Sequence, residues 1–70
     1  MEIFNLKAGV EYIELNNLLK IFGWVGTGGE AKNVIKQGDV LVNGEIETRV
    51  RKKMRVGDAL RFGAEQGKIE

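Results

Sequence analysis

The 70-residue chain has no cysteine, no histidine and no serine. Those absences exclude Ser-His and Cys-His nucleophile pairs, disulfides and the usual zinc sites. A chain without cysteine suits a reducing compartment, and the sequence reads as cytoplasmic. No apolar run approaches the roughly 18 residues of a membrane span, and no signal-peptide pattern opens the chain. Neither a membrane nor export is expected. Acid–base work would fall to carboxylates such as Asp39, Glu45, Glu47 and Asp58, which read as exposed, unperturbed groups near turns and strand ends. A chain this short buries only about 60% of its unfolded surface. It has little room for the pocket of several hundred Å³ that a small-molecule substrate needs. The expectation is a non-enzyme with no cofactor, no metal and no small-molecule substrate.

What is present is ordinary in amount and uneven in place. With 43% hydrophobic and 30% charged residues, the composition is that of one small globular domain, residues 1–70. Net charge is +1, but residues 48–56 carry five cations and no anion, which leaves −4 for the rest. In "ETRVRKKMRV", Arg49, Arg51, Lys53 and Arg55 occupy alternate positions, while Ile46, Thr48, Val50, Met54 and Val56 take the others. Lys52 breaks the alternation. Successive side chains of an extended chain point to opposite faces, so the pattern predicts a strand with four cations on one side and an apolar side against a core. Blocking edge-to-edge pairing takes a charge or two. Five unrelieved cations point instead to a site for a polyanion, and guanidinium forks suit phosphate geometry.

Elsewhere the period changes along the chain. "EIFNL" at 2–6 reads as an edge strand. Leu15, Leu18, Leu19 and Phe22 fall at i, i+3, i+4 and i+7, one face of a helix that stops at Gly23. Ala31, Val34 and Ile35 mark a second, shorter helix that ends at Gly38, a residue suited to a left-handed cap. The intervening "GWVGTGG" matches neither phosphate-loop pattern and reads as a tight helix–helix turn. Thr27 is placed as the N-cap of the second helix, and the free N–H groups from Gly28 onward could meet a polymer phosphate. Lys32 and Lys36, four apart, share the face of that helix away from Val34 and Ile35. Trp24 is assigned to the core. Val40 and Val42 then begin a strand, and Asn43-Gly44 is a strong hairpin signal. "VGD" at 56–58 reads as a turn, "ALRF" at 59–62 as a strand, and "GAEQGKIE" as a last short strand or a frayed end. The order predicts an α+β fold, two packed helices beside a small, mainly antiparallel β-sheet.

Read as a whole, residues 14–62 resemble, without a gap, the small RNA-binding domain named after ribosomal small-subunit protein S four, the alpha-L RNA-binding motif. The matching residues are Leu15, Leu19 and Gly23; Ala31, Val34, Ile35 and Gly38; Val40, Val42, Asn43 and Gly44; and Met54, Gly57, Asp58 and Leu60. "IKQGDVLVNG" followed by "GD" is the specific part, and "ETRVRKKM" resembles the short stand-alone bacterial branch, the YaaA/YbcJ type. The family commonly has an arginine where this chain has Glu14, Ser-Arg where it has Thr27 and Gly28, and Pro-Ser where it has Val50 and Arg51. The departures move the expected binding surface toward Arg49, Arg51, Lys53 and Arg55, with Lys32, Lys36, Thr27 and Gly28 flanking it. The resemblance implies a monomeric, non-catalytic module for structured RNA, ribosomal RNA included, with a role in translation or ribosome assembly. Charge alone leaves double-stranded DNA, an acidic protein surface or an anionic membrane as alternative partners.

Overall fold

The computed structural model describes residues 1–70. Its elements run β1 (Glu2–Phe4), β2 (Ile13–Glu14), α1 (Leu15–Ile21), α2 (Gly28–Lys36), β3 (Val40–Val42), β4 (Glu45–Ile46), β5 (Lys53–Met54), β6 (Ala59–Phe62) and β7 (Glu65–Ile69). One sheet has the order β1-β7-β6-β3-β4, antiparallel except where β1 pairs with β7. A separate two-stranded ladder joins β2 to β5, with Ile13 opposite Met54 and Glu14 opposite Lys53. The expected α+β class is what the chain adopts, with this second ladder added.

Both helices end as their glycines predict. Gly23 and Gly38 have positive φ, and each closes a paired-carbonyl turn: Trp24 N–H donates to Leu19, Gly23 N–H to Lys20, Asp39 N–H to Val34 and Gly38 N–H to Ile35. At the other end of α2 the Thr27 hydroxyl accepts from the Glu30 N–H at 3.1 Å, one half of the T-x-x-E capping pattern. α1 has no side-chain cap. Its first two N–H groups donate instead to the carbonyls of Lys52 and Val50, at 2.9 and 3.1 Å. The basic segment is thereby fastened to the start of α1 through backbone groups that a helix leaves unpaired.

Leu15, Leu18 and Leu19 from α1, Ala31 and Ile35 from α2, and Val40, Val42, Met54, Leu60 and Ile69 from the strands are all buried around Val25. Phe22 and Trp24 pack against this core with ring centroids 4.8 Å apart. The hairpin turn has Asn43 and Gly44 both at positive φ, the pair that matches strand twist. Asn43 also donates to the Asp58 carboxylate at 3.0 Å and accepts from the Ala59 N–H at 2.9 Å, while Asp58 accepts from the Arg55 N–H at 2.8 Å. Asn43 and Asp58, both in the resemblance, thus tie two turns together rather than face a ligand. The tail is no frayed end: β7 lies between β1 and β6, and Ile69 is fully buried.

Candidate nucleic-acid interface

The basic run is not the single strand its alternation predicts. The chain leaves β4 after Ile46, turns at Val50-Arg51 with the Lys52 N–H bonded to the Arg49 carbonyl, and forms only the two residues of β5. Ile46 and Val56 are each 65% exposed, and Thr48 is exposed too, so three of the five residues expected against the core face solvent. Of the five, only Val50 and Met54 turn inward, half-buried and fully buried. An extended chain would spread Arg49 to Arg55 over about 20 Å. The turn folds that length back on itself.

Folding back has a consequence for charge. Arg49, Arg51, Lys52, Lys53 and Arg55 line one open concavity of about 450 Å³ with no apolar side chain among them. Four of these were expected to share a face. Lys52, which breaks the sequence alternation, joins them because the turn cancels the pleat. Lys32 and Lys36 are exposed on α2 and do not line the concavity. At the start of α2, Thr27 has its hydroxyl in the cap, Gly28 is the first helical residue, and Glu30 puts a negative charge in the first turn. That charge opposes the attraction of a helix N-terminus for phosphate.

The cations are not equivalent. Glu47 grips Arg49 through both carboxylate oxygens, Oε2 to Nε and Oε1 to Nη2 at 2.9 Å each, and Oε2 also accepts the Arg49 backbone N–H at 3.0 Å. The Glu47 side chain is only 12% exposed. Its hydrogen bonds to Arg49, opposed by desolvation and aided by the Lys52 charge, lower its pKa to about 2. Glu47 is therefore neither exposed nor unperturbed as expected from sequence, and it holds Arg49 partly neutralised at any physiological pH. The spacing did carry a signal, since residues i and i+2 of an extended segment point the same way. Lys53 and Arg55 have a different neighbour: the Lys53 Nζ and the Arg55 Cζ lie 5.0 and 5.7 Å from the ring centre of Tyr12. Tyr12 immediately precedes β2, whose pairing with β5 brings it there.

These features sit on a frame shared with known proteins. The S4 domain family profile matches residues 4–70, beyond both ends of the stretch resembled at 14–62. The chain belongs to the S4 domain family. It is 43% identical over 51 residues to the YbcJ proteins of Escherichia coli (strain K12) and Shigella flexneri, which covers 73% of this chain and 73% of each of theirs. It also superimposes on the solution structure of Escherichia coli YbcJ with a TM-score of 0.74 and 36% identity, over 99% of this chain and 86% of that one. That relative is described as containing an alpha-L motif involved in RNA binding.

Proposed function

We propose that this chain is a non-catalytic module that holds structured RNA by its phosphates, in the concavity formed by the Arg49–Lys52 turn and β5. The observation that carries the reading is the convergence of five cationic side chains, with no acidic or apolar one among them, on a single open surface. Membership of the S4 domain family and the RNA-binding motif described for the YbcJ relative support RNA as the polyanion. Arg51, Lys52, Lys53 and Arg55 supply the free charges, and Arg49 contributes what Glu47 leaves it. Phosphate contacts position a protein without reading bases, and A-form RNA hides its major-groove edges, so recognition is by shape. Lys32, Lys36, Thr27 and Gly28 flank the RNA at the outer margin. Ribosomal RNA, a role in translation or ribosome assembly, a cytoplasmic location and action as a monomer complete the proposal.

The test is an NMR titration with a structured RNA hairpin and a matched DNA duplex at two salt concentrations. Amide shifts centred on residues 49–55, stronger with RNA and reduced by salt, support the reading. Shifts with neither nucleic acid overturn it and direct attention to an acidic protein surface. Replacing the anion beside the site gives an independent check. Glu47→Gln keeps an oxygen for the Arg49 N–H but releases the guanidinium, so RNA binds severalfold tighter and the slope of log affinity against log salt steepens by about one. Equilibrium titration at several salt concentrations measures both effects. An unchanged slope would place Arg49 outside the contact.

A further inference from the structure

Lys53 and Arg55, beside Tyr12, face the proposed phosphates, but phosphate binding gives the Tyr12 ring itself no role. Phe4, Phe22, Trp24 and Phe62 are partly buried against the core, whereas Tyr12 is more open, 37% exposed. None of the side-chain hydrogen bonds of the chain involves the Tyr12 hydroxyl. Two cations of the concavity lie within cation–π distance of its face, at 5.0 and 5.7 Å. An exposed ring contributes little to a core of this size, and a flexible side chain could have relieved the crowding of Lys53 and Arg55 equally well.

We infer that Tyr12 is a stacking platform for one unpaired nucleobase, next to the phosphates held by Lys53 and Arg55. The inference rests on the RNA reading above and deepens it by naming the kind of RNA. When phosphates draw the Lys53 and Arg55 heads away, Arg55 giving up its long 3.5 Å bond to the Glu11 carbonyl, the Tyr12 ring becomes free. A base belonging to the same stretch of backbone can then take their place on it. Every base has a π-face, so stacking of this kind tolerates sequence. A base inside a continuous helix is already stacked on both sides and has no face to offer. The site thus selects RNA in which a helix meets an unpaired nucleotide, a loop, bulge or end, over uniform duplex. Phosphate contacts alone do not make that distinction.

Two RNAs of equal length and charge test it, one a hairpin with an unpaired loop and the other fully paired, against wild type, Tyr12→Phe and Tyr12→Ala. Tyr12→Ala is expected to weaken hairpin binding about tenfold and duplex binding less than twofold, while Tyr12→Phe retains both. The chain has one tyrosine, so its ring protons report directly and should move upfield with the hairpin alone. Equal losses on both RNAs would overturn the inference and leave Tyr12 a positioning residue for Lys53 and Arg55. No loss on either would overturn it as well. If wild type binds neither RNA, the phosphate reading fails first and this inference falls with it; if wild type binds both and Tyr12→Ala is silent, the stacking alone is wrong.

Discussion

Affinity for structured RNA is expected to fall about a hundredfold as monovalent salt rises from about 50 to 200 mM. Each phosphate neutralised releases condensed counterions, and log affinity drops against log salt with a slope of about −0.9 per phosphate on a duplex. Four free cations, Arg51, Lys52, Lys53 and Arg55, give a slope of about −3.6 by that rule. Arg49 adds little because Glu47 already occupies its fork. The size of the effect therefore counts the residues at work. Glutamine at Arg51, Lys53 and Arg55 together should flatten the slope to about −1 while the fold persists, since all three are exposed. Glutamine at Lys32 and Lys36 should change it by less, since neither reaches the concavity. A wild-type slope near zero would sink the phosphate mechanism however tight the complex.

The parts of this arrangement differ in how far a single sequence reveals them. Both helices, their glycine stops and the Asn43-Gly44 hairpin were legible because their causes are local: a period of 3.6, a left-handed residue, a two-residue turn. The concavity was legible in content and not in shape. Alternation from Arg49 to Val56 describes a strand equally well as a turn anchored by Val50 and Met54, and the choice is made by α1, whose unpaired N–H groups take the carbonyls of Val50 and Lys52. That partner lies more than 30 residues upstream. Strand β2 is just Ile13 and Glu14, stable only through its pairing with β5, so neither it nor the placement of Tyr12 beside Lys53 left a periodic trace. Glu47, just outside the anion-free stretch 48–56, is the anion that distinguishes Arg49 from its neighbours. Long-range pairing decided each of these points.

The tail illustrates the same limit and carries the second large effect. Gly67→Val is expected to lower the melting temperature by about 20 °C, and Gly67→Ala by about 10 °C. Gly67 sits inside β7, opposite Leu60 on one side and Glu2 on the other. A Cβ there would come within 2.6 Å of Phe22 Cε2, 3.0 Å of Phe22 Cζ and 3.2 Å of Trp24 Cη2. Its backbone is not left-handed, so the demand is for space alone. Strand β7 cannot retreat without breaking its ladders to both β1 and β6. The rings cannot retreat easily either, because they are packed on each other and on the core. Overpacking of this kind costs about 1–3 kcal/mol for a small addition, against a total stability of about 4–10 kcal/mol for a chain of this length. Two effects oppose it: alanine restricts the unfolded chain more than glycine and suits a strand better, together by about 1 kcal/mol. In an open strand they would win and Gly67→Ala would stabilise. The sign of the change in thermal unfolding therefore decides between space and propensity. Phe22→Leu removes the nearest ring atoms, so in combination with Gly67→Ala it should recover part of the loss, a non-additivity expected only of groups in contact. Simple addition of the two losses would mean that Gly67 is required for some reason other than the rings above it.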